Sequence, residues 1–188
     1  VVFSGDGDLF AIGGNHFIHG ARRNVDITVV CVNNLNYGMT GGQVAATTPL
    51  NFKTTTTPAG NPDGPFNLPL MAYASGATYV SRWTILHTRD MTESIKDALL
   101  NRGFAFVEIL SPCPVNFGRR NKESALDSLR LYQEKTIIKN DAHPTELDID
   151  FDRGVILGKF VDIERPTCID RYDSTCRPPE LFNEEKAA

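Results

Sequence analysis

The sequence predicts an α/β fold, a mostly parallel sheet with helices on both faces. Two observations carry that expectation. Apolar runs rich in β-branched residues alternate with segments of helical periodicity, the pattern of strands buried on both sides. Two short polar clusters, Gly5-Asp6-Gly7-Asp8 and Asn33-Asn34, each follow directly on such a run. Residues 8–32 separate them, room for one helix and one return strand. Both clusters should therefore stand at the carboxyl ends of neighbouring parallel strands, where open α/β sheets bind ligands.

Taken in order, Val1 to Ser4 reads as a buried strand already under way at the first residue, so an upstream segment is expected. Ala11 to Arg22 reads as a helix with one apolar face and a basic C-terminal end. Ile27 to Val32 is a β-branched strand. Asn34 to Leu70 shows neither period and is rich in Thr, Pro and Gly. Because it begins at the second polar cluster, it reads as an active-site loop. Ala77 to Trp83 is a strand. Asp90-Met91-Thr92-Glu93 has a capping-box pattern and opens a helix that Gly103 ends. Phe104 to Leu110 is a strand. Ser124 to Ile138 reads as a helix, with Leu126, Leu129, Tyr132 and Gln133 near one face. Val155 to Ile163 reads as a last strand or an extended arm, and the tail from Arg177 as poorly ordered.

The chain of 188 residues is the size of one domain, placed at 1–165, with a C-terminal arm or tail at 166–188. Its hydrophobic fraction of 41% and charged fraction of 22% are those of an ordinary globular protein. A net charge of −4 gives no reason to expect nucleic acid or an anionic membrane as partner. No apolar run reaches the length of a membrane span, and no signal peptide is visible. Cys31, Cys113, Cys168 and Cys176 form no Cys-x-x-Cys pair, and a reducing cytoplasm is the expected location.

The polar clusters carry the chemistry. Asp6 offers a carboxylate oxygen and Asn34 an amide oxygen. With backbone carbonyls and diphosphate oxygens, these could complete an octahedral Mg²⁺ site. The glycines allow a diphosphate close to the main chain and to the next helix N-terminus. Asp8 either faces the diphosphate or caps that helix. His16 and His19 stand three apart but lack a third ligand, and a structural role is expected for both. No residue reads as a general base, so no catalytic residue is named.

The strings Gly5-Asp6-Gly7-Asp8-Leu9-Phe10-Ala11-Ile12-Gly13-Gly14-Asn15-His16, Tyr37-Gly38-Met39-Thr40-Gly41-Gly42-Gln43 and Ser111-Pro112-Cys113-Pro114 narrow the reading. With Asn33-Asn34, they resemble the β subunit of 2-oxoacid:ferredoxin oxidoreductases, most closely the 2-oxoglutarate type, over nearly the whole chain. The resemblance implies the thiamine diphosphate-binding fold. It implies Mg²⁺ on Asp6, Asn34 and the Asn36 carbonyl, with Gly7, Asp8, Gly38 and Met39 against the cofactor. An asparagine often stands at the place of Met39 in look-alikes that use pyruvate, so the methionine leans toward 2-oxoglutarate. Cys113 matches the fourth ligand of a [4Fe-4S] cluster whose other three ligands lie in an N-terminal segment absent from this chain.

The implied activity is oxidative decarboxylation of a 2-oxoacid with coenzyme A. Electrons would pass to ferredoxin, and an α subunit would supply most substrate contacts. The alternatives are a non-redox thiamine diphosphate decarboxylase or carboligase, and a cofactor-binding fragment without turnover.

Overall fold

Three strands without a solvent-facing side form the centre of the sheet. They are β2 (Ile27–Asn33), β3 (Tyr79–Thr84) and β4 (Phe104–Leu110), and nearly every residue in them is buried. The computed structural model describes residues 1–176. The sheet has six strands in the order β1-β2-β4-β3-β6-β5, with β1 at Val2–Gly5, β5 at Thr136–Ile138 and β6 at Val155–Asp162. The pairs β1–β2, β2–β4 and β3–β4 are parallel. Strand β6 runs antiparallel to β3 with a register shift at Val80/Ser81, and β5 runs parallel to β6. The sheet is therefore mostly parallel, as the alternation of elements implied.

Both faces of the central strands are covered, whereas β1, expected to be buried, exposes Val2 and Phe3 at the edge of the sheet. On one face, α1 (Gly14–Arg23) and α2 (Leu68–Ser75) bury Phe17, Ala21, Leu68 and Ala72 against Val29, Val80, Phe104 and Phe106. Phe10, Phe17, Phe104 and Phe106 meet there edge to face or tilted, with ring centroids 4.4–5.4 Å apart. On the other face, α3 (Thr88–Leu100) sets Ala98, Ile95 and Met91 against Val30, Tyr79, Ala105 and Val107. A third cluster forms a floor beneath the carboxyl end of the sheet: Leu35, Trp83, Leu110, Phe117, Tyr132, Phe151 and Leu157.

Several element expectations change. Strand β4 has the expected bounds, but α2 was not foreseen. Asn67 caps it by accepting from Leu70 N–H, and Pro69 occupies the first turn. Helix α3 starts at Thr88 after His87, so Asp90 lies inside its first turn and no capping box forms at Asp90. The capping box instead belongs to α4 (Ala125–Lys135), where Ser124 and Asp127 satisfy each other's orphan donors. That helix stops three residues short of Ile138 because the β-branched run Thr136-Ile137-Ile138 becomes β5. Its buried residues are Ser128 and Tyr132, while Leu126 and Gln133 are exposed.

At the amino end of the strands, Asn24 joins three elements. Its side chain donates to the carbonyls of Arg165 and Pro166 and accepts from Phe104 N–H. This holds the segment entering α5 (Cys168–Cys176), which Arg102 also meets through Asp170 at 3.0 Å. The tail from Arg177 lies outside the described residues.

Candidate functional site

Strands β1, β2 and β4 end at the same edge of the sheet. Ser111 N–H donates to Asn33 O at 2.9 Å, so the segments leaving β2 and β4 begin side by side. Asp6 stands just beyond β1 and is only 2% exposed. Its carboxylate accepts from the Thr47 hydroxyl and from the main-chain N–H of Asn34. Among the described residues no Lys or Arg pairs with it. Burial pushes its pKa above the ordinary 3.8, and these hydrogen bonds, with one from its own main-chain N–H, pull the other way.

The turn after β2 brings the asparagines together. Asn34 Oδ1 accepts from Asn36 N–H at 3.3 Å. Asn36 is 3% exposed, and both polar atoms of its side chain lack a partner, an expensive arrangement unless a ligand completes it. A methyl group at Gly38 would sit 3.2 Å from Asn34 Nδ2 and 3.7 Å from both Asn36 Oδ1 and Cys113 Sγ. Gly38 thus lies among Asn34, Asn36 and Cys113. Gly7 is buried beneath the Tyr37 ring, which a Cβ there would meet at 2.3 Å.

Two of the sequence candidates stand apart from this group. Asp8 is exposed and accepts from Ser4 Oγ at 3.2 Å rather than capping a helix; it begins a short π-type turn (Asp8–Ile12) ahead of α1. Met39 is 99% exposed at a loop tip. His16 and His19 are both exposed on α1.

Residues 34–67 lack regular structure but are tightly bonded. Beyond its bond to Asp6, this loop is held by Thr48, whose hydroxyl donates to Leu35 O at 2.7 Å and accepts from Ala45 N–H. Asn61 donates to Thr48 O at 2.8 Å, and Asn116 donates to Gly38 O at 3.0 Å. Phe52 stacks on Phe117. The sequence reading missed Tyr37, Thr47 and the Asn36 side chain. The density of Thr and Asn in this stretch was the available signal, since these side chains bond the main chain where no ladder does.

A concavity of about 930 Å³ lies elsewhere. It is lined by Asp97, Arg102, Lys159, Glu164 and Arg165 near the amino ends of the strands. Its charges are mixed in sign and largely exposed. The buried unpaired groups favour the carboxyl edge as the site.

Residues 1–109 match the family described as thiamine pyrophosphate enzyme, C-terminal TPP binding domain. The chain belongs to that family. This thiamine pyrophosphate-binding chain is 47% identical over 171 residues to 2-oxoglutarate synthase subunit KorB of Methanocaldococcus jannaschii, covering 90% of this chain and 63% of that protein. It is 46% identical over 172 residues to the KorB subunit of Methanothermobacter marburgensis, covering 91% and 60%. The fold is similar to 2-oxoglutarate:ferredoxin oxidoreductase from Magnetococcus marinus, solved with 2-oxoglutarate, coenzyme A and succinyl-CoA bound. That match has a TM-score of 0.75 and 28% identity, and covers 98% of this chain and 66% of that one. The chain spans between 60% and 66% of the length of these relatives.

The residues present fit thiamine diphosphate with a divalent cation. They offer one buried carboxylate without a cationic partner, amide oxygens one turn away, and glycines that admit close approach. Among the described residues, no three His, Cys, Asp or Glu side chains gather where they could hold a metal. A [4Fe-4S] cluster does not fit the described cysteines, because it takes four thiolates. Only Cys113 borders the loop. Cys31 is buried in β2, its thiol pushed well up by burial, and Cys168 and Cys176 bound α5.

Proposed function

We propose that this chain is the cofactor-binding part of a 2-oxoacid:ferredoxin oxidoreductase β subunit, with 2-oxoglutarate as the preferred substrate. The observation that supports it best is Asp6, a carboxylate taken out of water, bonded to the N–H of Asn34 two residues before the orphaned Asn36 amide, and without a cationic partner among the described residues. Such a group calls for a cation. The similarity to the two KorB subunits supports the choice of 2-oxoacid.

Thiamine diphosphate, when bound, supplies the electron sink that lets a 2-oxoacid lose CO₂. Asp6, the Asn34 amide oxygen and the Asn36 carbonyl would hold Mg²⁺ against the diphosphate. Gly38 would let the cofactor reach the main chain, and Gly7 would do so only with the Tyr37 ring turned aside. Met39, fully exposed in this chain, is free to meet cofactor or a neighbouring subunit. Asp8 faces solvent rather than capping a helix, and would meet the diphosphate from there.

In the proposed net reaction, 2-oxoglutarate and coenzyme A give succinyl-CoA, CO₂, one proton and two electrons, and the electrons leave to ferredoxin. An α subunit would complete the substrate pocket. Cys113 offers one thiolate at the loop, so any [4Fe-4S] centre would need three ligands from outside the described residues. Among the described residues no helix is long and apolar enough to cross a membrane. The unpaired cysteines suit a cytoplasmic enzyme.

The test is to purify the subunit with its α partner and follow ferredoxin reduction. Reduction should require both 2-oxoglutarate and coenzyme A, run slower with pyruvate, and vanish in Asp6→Ala. Release of CO₂ and free aldehyde without coenzyme A or any acceptor would instead identify a non-redox decarboxylase.

A further inference from the structure

The centre of the sheet holds a line of polar side chains that the cofactor reading leaves unused. Arg82 on β3 and Glu108 on β4 are register partners, and both are fully buried. Arg82 Nε donates to Glu108 Oε2 at 2.7 Å, and Arg82 Nη1 donates to Leu147 O at 2.8 Å. Glu108 Oε1 accepts from Asn33 Nδ2 at 2.7 Å. Asn33 Oδ1 in turn accepts from Leu35 N–H at 3.0 Å. The line therefore runs from the segment before β6, across β3 and β4, to the turn that carries Asn34 and Asn36.

Packing does not require these charges. Apolar residues of similar volume often stabilise a core as well as a buried ion pair does. What an apolar pair could not do is orient the Asn33 amide. Ionised Glu108 only accepts, so Asn33 must present its NH₂ group to Glu108 and its oxygen to Leu35. Leu35 stands at φ +64, a conformation that a leucine adopts only when held. Its neighbours on either side are Asn34 and Asn36.

We infer that the Arg82–Glu108 pair, acting through Asn33, is the positioning device that aims the Asn34 and Asn36 oxygens at the divalent cation. This rests on the cofactor reading above. Glu108→Gln keeps the volume but leaves one acceptor oxygen for two donors, Arg82 Nε and Asn33 Nδ2. The Asn33 amide then turns and releases Leu35. Adding Asn33→Asp restores every match. The introduced glutamine accepts from Arg82 and donates to the introduced aspartate, whose second oxygen accepts from Leu35.

The experiment uses the assembled complex stripped of cofactor, with thiamine diphosphate added and Mn²⁺ as the paramagnetic probe. Mn²⁺ affinity is read by electron paramagnetic resonance beside the thermal unfolding of the cofactor-free complex. Glu108→Gln and Asn33→Asp should each weaken Mn²⁺ binding about tenfold or more. The double variant should return to within about threefold of the unsubstituted protein, the non-additivity expected of one hydrogen-bonded unit. If Glu108→Gln does not fold, Asn33→Ala leaves the ion pair in place and should show the same tenfold loss. Unchanged affinity in the single variants, or no recovery in the double, overturns the positioning role. If the unsubstituted complex takes up no Mn²⁺, the cofactor reading fails and takes this inference with it.

Discussion

At the scale of the residue, the informative groups are those whose surroundings leave something undone. Asp6 is buried, bonded by neutral donors and short of a countercharge. Because burial raises its folded-state pKa, its contribution to stability is full below the unfolded value of 3.8 and is lost as pH rises through the raised one. Asp6→Asn removes that loss. Without cofactor, the variant should be more stable than the unsubstituted protein at neutral pH, and the difference should close as pH falls toward 3.8. Urea unfolding across that range checks this, while cofactor uptake should be abolished. Cofactor binding that survives in Asp6→Asn would remove the metal role. The polar clusters themselves were legible in the sequence because glycines and short amides after apolar runs have few other uses. The state of each side chain was not, because burial and missing partners are properties of the fold.

At the scale of the element, propensity and pattern located most strands and misjudged the junctions. Strand β4 was readable to its last residue, since Phe104–Leu110 is a short run, apolar but for Glu108, bounded by Gly103 and Ser111-Pro112. Helix α2 was not, although Asn67 and Pro69 mark its start, because the polar Thr- and Pro-rich stretch before it masks the change of period. The end of α4 was missed because Thr136-Ile137-Ile138 could extend the helical face, and only the register with Val155–Leu157 makes it a strand. Arg82 and Glu108 gave no signal in the sequence, yet both lie fully buried at the centre of the sheet. Asn67 also ties α2 to the segment before β6, donating to Pro144 O at 3.0 Å and to Asp148 at 3.1 Å. Asn67→Ala should therefore cost about 2 kcal/mol by denaturant unfolding, more than the ~1 kcal/mol of a lost cap alone.

At the scale of the whole molecule, the two edges of the sheet are set up differently. The carboxyl edge gathers groups without partners, and the amino edge is closed by Asn24, whose three hydrogen bonds join α1, β4 and the segment entering α5. Asn24→Ala strands a buried N–H and two carbonyls and should cost about 3 kcal/mol. Amide exchange in residues 165–176 should speed up before exchange in β4 does. Equal acceleration in both would mean that the segment and the sheet open as one unit.

The bond from Thr47 to Asp6 has a consequence of its own. It anchors the middle of an irregular stretch to the tip of the first strand, on the carboxylate a cation would share. Occupancy at that point would be felt some way along the chain, at the exposed Lys53, whose main chain Asn121 holds from both sides. Trypsin should cut after Lys53 more slowly once thiamine diphosphate and Mg²⁺ are added. The nicking rate would then serve as a gauge of loading that needs neither substrate nor electron acceptor.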